Sequence, residues 1–232
     1  SLREYGTIAY PAIDEVLAGL KAAPPVNGPT LLVEPSDNIG GGAPGDGTGV
    51  LRGLLRHRIA RALVIINDPV AVASLEHASN GETRVLSVGG RGSTLDAGPV
   101  EIEGVVVSRS DGNFTLEDKQ SHLASMSGIH IAMGPCAVVR AGGVTLLLTS
   151  RKTPPFDLGQ LRSQGIEPRD FAFIGVKAAV AHRRAYDPIT AATYYVDTPG
   201  PCTSNLASLS WQHLERPIYP LDSITTPQFK FS

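Results

Sequence analysis

Cysteine is scarce in this 232-residue chain: Cys136 and Cys202 are the only two, far apart and without CxxC spacing. That argues against a disulfide framework and against a structural zinc site built on paired cysteines. It fits two ordinary thiols in a reducing, cytoplasmic compartment. No apolar run approaches the roughly 20 residues that span a bilayer, and the opening SLREYGTIAY lacks the charged-then-apolar pattern of a signal peptide. Aromatic residues make up 6% of the chain, and its one tryptophan, Trp211, forms no stripe with the tyrosines for stacking on bases. The formal net charge is only −2, so no basic surface is available to track phosphates or an anionic membrane. Neither nucleic acid nor membrane is an expected partner. The six histidines show neither HExxH nor another recognised ligand spacing, and GxSxG is absent.

Glycine, by contrast, is concentrated. Residues 34–49 read EPSDNIGGGAPGDGTG, with Gly40, Gly41, Gly42, Gly45 and Gly47 inside eight positions. Glycine loses more backbone entropy on ordering than any other residue, so such a cluster needs a physical reason. Its flanks supply the context. TLLVE (30–34) reads as a short apolar strand, and GVLRGLLRHRIA (49–60) as an amphipathic helix. ALVIIN (62–67) is a second apolar strand of the kind buried on both faces of a parallel sheet. Asp68-Pro69 then caps and starts another helix. Upstream, PAIDEVLAGLKAA (11–23) is a helix stopped by Pro24-Pro25.

From about residue 82 to 150 the texture changes to strands punctuated by Gly, Asp and Asn, with a hairpin over 136–149 through Ala141-Gly142-Gly143. Strand and helix alternation then resumes: a helix around LGQLRSQ, a strand FAFIGVK (171–177), a helix or turn at AHRRAYDP, and a strand TYYVD (193–197). The expected fold is α/β, a mostly parallel sheet with flanking helices and an antiparallel β insertion over about residues 82–150. Residues 1–27 read as a connecting helix and residues 28–232 as the domain.

A glycine loop between a strand and a helix N-terminus lies where backbone N–H groups converge. Asp37 and Asn38 stand at the strand's carboxyl end, with Asp46 and Thr48 where the next helix is capped. No lysine follows Gly45 or Gly47, which excludes a Walker A loop. Gly40, Gly42 and Gly45 match the G-x-G-x-x-G spacing, but Pro44 removes an N–H and only Asp68 is near the place of the ribose-binding acid. Either the loop brings a ligand close to the backbone, or its glycines serve tight turning and packing. Lys177 closes a strand, with His182 and Arg183 following it, which places cations and an imidazole at a sheet edge. They could bind a substrate carboxylate or move a proton, or form an internal ion pair. Asp197 and Ser150-Arg151-Lys152 could line the same edge. A lone Arg91 in a glycine turn reads as solvated, as does helical His57, and His130 as hydrogen-bonded and partly buried.

DNIGGGAPGDGT, INDPVAV, GPCAVVRAGGVTLLLTSRKTPPFD, GIEPRDFAFIGVKAAVAHRRAYDPIT, VDTPGP and RPIYPLD, in that order, resemble the C-terminal domain of the microcystinase MlrC family, candidate zinc metallopeptidases. The resemblance covers about residues 28–222. It implies a chain about twice as long, with zinc held by His and Asp residues of an N-terminal domain that is this chain's expected partner. It also implies a small peptide-like substrate, and no zinc bound by this segment alone. Lys177, His182 and Arg184 match the family motif, whereas Arg183 stands where the family has Phe. The implied substrate-binding set is Asp37, Asn38, Gly40, Gly41, Gly42, Asp46, Thr48, Lys177 and Arg184, with His182 the candidate catalytic group. The alternatives are a non-catalytic module binding an anion or peptide, and a structural domain that builds a homo-oligomer.

Overall fold

The computed structural model describes residues 8–22 and 27–223; the Pro24-Pro25 stop and part of the expected connecting segment lie outside the described residues. The main elements in chain order begin with α1 (Ile13–Ala22), β1 (Thr30–Val33), α2 (Gly49–Arg56), β2 (Ala62–Asn67), α3 (Pro69–Ser74), β3 (Thr83–Val88) and β4 (Val100–Ser110). They continue with β5 (Asn113–Thr115), α4 (His122–Ser127), β6 (His130–Ala132), β7 (Cys136–Ala141) and β8 (Val144–Thr149). The last are α5 (Gly159–Arg162), β9 (Phe173–Val176), α6 (Arg183–Tyr186) and β10 (Ala192–Tyr195). Among the described residues no helix is long and apolar enough to cross a membrane.

One eight-stranded sheet carries the fold, in the order β10-β1-β9-β2-β8-β7-β4-β3. Neighbours from β10 through β8 are parallel, and those from β8 through β3 are antiparallel. The expected antiparallel block is thus no separate layer. Strand β8 belongs to both halves, parallel to β2 on one side and antiparallel to β7 on the other. Among the described residues only β5 and β6 stand apart, as a two-stranded sheet.

Burial follows composition. TLLV and nearly all of ALVIIN are buried, as central parallel strands covered on both faces must be. The alternating VEIEGVVV of β4 buries every second residue and leaves the others in solvent. Alternation along the central strands sorts the core into two clusters. Leu32, Val64, Ile66, Leu146 and Leu148 pack on one face with α1, α2 and α3. Leu31, Val33, Leu63, Ile65, Leu147 and Ile174 pack on the other with α5 and α6.

Several helices are shorter than the sequence suggests. α2 ends at Arg56, and His57 pairs with Asp14 of α1 at 2.9 Å rather than facing solvent alone. α3 is capped as expected: the Asp68 carboxylate accepts from Ala71 N at 2.9 Å, with Pro69 in the first turn. His130 is exposed rather than partly buried, and its ring lies 3.2 Å from the Thr115 hydroxyl.

Candidate functional site

The carboxyl ends of β1, β9, β2 and β8 gather the polar residues of interest, the edge where open α/β sheets bind ligands. The register Val33↔Val176 sets the next residues, Glu34 and Lys177, beside one another. Lys177 Nζ, 5% exposed, donates to Glu34 Oε2 at 2.6 Å and to Gly47 O at 2.6 Å, and lies 3.0 Å from Asp37 Oδ2. Asp37, itself 2% exposed, accepts from Gly45 N at 2.8 Å and Gly47 N at 2.7 Å. Burial works against the ammonium, but Glu34 and Asp37 more than offset it and hold Lys177 above the ordinary lysine range. Burial lifts the Glu34 carboxyl above its usual value, against the pull of Lys177.

This arrangement accounts for the second half of the glycine loop. A Cβ at Gly47 would lie 2.9 Å from Asp37 Oδ2, and one at Gly45, where φ is +78°, would lie 2.6 Å from Ile39 Cδ1. Those glycines let the loop's own backbone close over Asp37. Asp46 repeats the device with the neighbouring turn, accepting from Arg91 N at 2.7 Å and Gly92 N at 2.6 Å. Thr48 starts α2, and its N–H and hydroxyl both donate to Asp96, at 2.8 and 2.7 Å. Arg91 is not a solvated lone cation: its Nη1 pairs with buried Asp68 at 2.5 Å.

The first half of the loop is different. Gly40, Gly41 and Gly42 are exposed. The N–H groups of Gly41 and Gly42 are used within the turn, donating to Asn38 O and Ile39 O at 3.0 Å each. An anion would therefore find few donors here. Lys152 Nζ reaches Gly42 O at 3.2 Å, and the Cys202 thiol lies 3.7 Å from Gly41 O. Half-buried Asn38 folds beneath Gly40 and Gly41, and its side-chain Oδ1 has no hydrogen-bond partner among the described residues.

Lys177 and His182, five positions apart, part company. Lys177 joins Glu34 beneath the glycine loop. His182 turns to the other face, where its ring lies edge-on to Tyr186 and Tyr195, each centroid at 6.4 Å. It is fully buried, and neither ring nitrogen has a partner among the described residues; the same holds for the Tyr186 hydroxyl. Burial pushes the His182 pKa down, with Arg183 adding to the shift and Asp187 opposing it. Burial, then the Asp157 charge, raises that of Tyr186. Arg184 leaves the edge altogether and pairs with Asp118 on the surface at 2.5 Å. Asp197 accepts from Asn205 Nδ2 at 3.2 Å and lines a hollow of about 320 Å³ with Thr198, Pro199 and Gly200.

A pH dependence follows from His182. The unfolded chain takes up a proton near pH 6.5, before the native state does, so stability contributed by the neutral ring is lost as the pH falls from about 7 toward the lowered native value. Thermal melts should show the wild type losing stability over that window, with a shallower loss in His182→Phe. Tyr186→Phe, which removes a hydroxyl without a partner, should leave stability unchanged or raise it by up to about 1 kcal/mol.

Glu34, Asp96 and the Asp68–Arg91 pair were not candidates in the sequence. The available signal was Glu34 ending an otherwise apolar strand. Among the described residues no three His, Cys, Asp or Glu side chains come together in a way that could hold a metal ion, so these residues do not fit a metal centre.

A sequence profile described as MlrC C-terminus matches residues 32–213 of the chain. Microcystinase C of Sphingomonas sp. is 24% identical over 198 residues, which are 84% of this chain and 36% of that protein. The crystal structure of a candidate metallopeptidase from Mesorhizobium sp. BNC1 superposes with a TM-score of 0.79 at 23% identity, over 97% of this chain and 43% of the other. The chain thus spans well under half the length of either relative.

Proposed function

Since the chain belongs to the MlrC C-terminus family, we propose that it is the substrate-facing, non-ligating part of a metal-dependent peptidase or amidohydrolase acting on peptide-like molecules. In this reading zinc is held by residues outside the chain, in a separate N-terminal domain, and no metal-dependent step is assigned to the residues described above. The name of the Sphingomonas relative supports a peptide-like substrate class. The chain's own contribution is a contact ridge, the exposed Gly40–Gly42 segment, with the Asn38 amide beneath it. The Asn38 amide nitrogen is a donor suited to a peptide C=O, whereas its Oδ1 is buried.

The observation that carries this reading is the division of the loop. Its buried half is closed by Asp37 and Lys177, while its exposed half carries no side chains of its own, with Phe156 packed against Gly40 and Cys202 beside Gly41. That division favours a peptide contact over an anion cradle, because the loop's donors at Gly41, Gly42, Gly45 and Gly47 are spent internally. Asp37, Asp46, Thr48 and Lys177 then act as positioning residues, and Asn38, Gly40, Gly41 and Gly42 as contacts. His182 shapes the opposite face.

The test is Gly41→Val alongside Asn38→Ala in the metal-loaded, hydrolysing protein. A Cβ at Gly41 meets only the Asn38 amide at 3.0 Å and Cys202 Sγ at 3.2 Å, both at side-chain ends, so the melting temperature should stay close to wild type. Peptide hydrolysis should fall about tenfold or more in kcat/KM, a loss of roughly 1.4 kcal/mol in transition-state binding. Unchanged kcat/KM in both variants would remove the ridge from the substrate path.

A further inference from the structure

A second hollow opens on the same edge, where the sheet's connections diverge. The chain leaving β2 enters α3 and packs on one face, through Ala71, Val72 and Leu75. The chain leaving the adjacent parallel strand β8 runs to α5 on the opposite face, through Leu161. Neighbouring parallel strands whose connections part to opposite faces leave a crevice outside their carboxyl ends, the usual ligand position in open α/β sheets. Here that crevice is a cavity of about 310 Å³. That is the lower end of the range for small-molecule sites, enough for one amino-acid-sized group rather than a long segment.

Its walls are mostly apolar, with Pro69, Val72 and Ala73 from the α3 side, Pro135, and Ala137 from β7; Ser110 and the exposed Glu76 also line it. Cys136 forms part of the lining. Its thiol donates to Gly134 O at 3.2 Å, and burial, with the Asp111 charge, pushes its pKa to about 12, so it contributes surface and not a nucleophile. The polar groups converge at the mouth. Arg109 is pinned by one nitrogen, Nη1, to the carbonyls of Leu75 and Glu76, which leaves the other guanidinium N–H groups without a partner among the described residues. Ser150 also lines the cavity, and its hydroxyl likewise has no partner among the described residues.

Two chain segments also tie the cavity's lining to the glycine loop. Asn67 N donates to Gly45 O at 2.9 Å, two residues before Pro69, and Lys152 reaches Gly42 O, two residues after Ser150. Two separate segments therefore touch the loop and then line the cavity.

From these walls, this mouth and this adjacency, we infer that the cavity between α3 and the β4, β7 and β8 ends binds an apolar, amino-acid-sized group that carries a carboxylate, with the carboxylate on Arg109. A guanidinium with free N–H groups suits a carboxylate better than a neutral oxygen; the exposed Glu76 carboxylate on the lining is screened by solvent, and the mostly apolar walls disfavour a charged side chain. That this group is a residue of the substrate or product rests on the hydrolase reading above; the binding itself does not.

The experiment is amide chemical-shift titration of the protein with N-acetyl-leucine and with N-acetyl-leucine amide, up to about 10 mM, where even a weak site of millimolar Kd is filled. The carboxylate form should shift the amides of Ala73, Ser110, Ala137 and Ser150 and bind several-fold tighter than the neutral amide. Arg109→Gln should abolish that preference. Ala73→Trp, placed on an exposed helix position, should block both ligands while leaving the melting temperature in place. Shifts scattered elsewhere, an equal affinity for the two ligands in the wild type, or undiminished binding in Ala73→Trp would each overturn the site. None of these outcomes depends on hydrolysis, so failure here and failure of the hydrolase reading are separately visible.

Discussion

Lys177→Met is expected to destabilise the protein by about 3–5 kcal/mol, the usual cost of removing one partner from a buried ion pair. Glu34 and Asp37, 1% and 2% exposed, would be left as two carboxylates with no buried counter-charge. The Gly47 carbonyl would lose its donor at the same time. For a chain of this length the loss should appear as a fall in melting temperature on the order of 10 °C. The defect should also depend on pH in a defined direction. The Glu34 carboxyl already sits above its ordinary value because it is buried, and removing Lys177 takes away the main influence that opposes that shift. A group whose native pKa is raised favours the fold at low pH, since the native state holds its proton longer than the unfolded chain does. The variant should therefore be least impaired in mild acid and most impaired at neutral pH. A loss of activity at wild-type stability would instead mean that Lys177 faces a ligand.

Asp37→Ala is expected to cost nearly as much, about 2–5 kcal/mol, because it leaves the N–H groups of Gly45 and Gly47 buried without an acceptor. The two variants act on one cluster, so their effects should not add. With both side chains gone, neither leaves the other's charge stranded, and the double variant should lose at least 1 kcal/mol less than the sum. Additive losses would separate Lys177 from the glycine loop and undo the explanation of why that loop holds five glycines in eight positions.

The two buried strands, the Asp68 cap and the antiparallel block were legible in the sequence because each is a local signal. TLLV and ALVIIN are apolar without alternation, VEIEGVVV alternates, and Asp-Pro starts a helix. The position of the glycine loop was legible for the same reason. An ion pair between a cation of the Lys177 segment and an acid of the loop was one of the readings left open, and only the fold decides it. Asp37 meets Lys177 only because β1 and β9 are parallel neighbours in register Val33↔Val176, a pairing between residues 143 positions apart. Thr48 is held by Asp96 from 48 positions away, and Arg91 finds Asp68 across another turn. His182 illustrates the opposite error. Closeness to Lys177 in sequence suggests a shared site, yet the turn after β9 carries the two side chains to opposite faces of the sheet.

The proposed function rests on one division of labour, in which this chain supplies substrate contacts and not metal ligands. It is tested most directly by measuring bound zinc and peptide hydrolysis together, on these 232 residues alone and on the complete product of the reading frame that encodes them. Zinc at about one equivalent and hydrolysis only in the complete product are the expected result. Stoichiometric zinc with hydrolysis in the 232-residue chain would contradict the claim, and would require a ligand set that the described residues do not bring together.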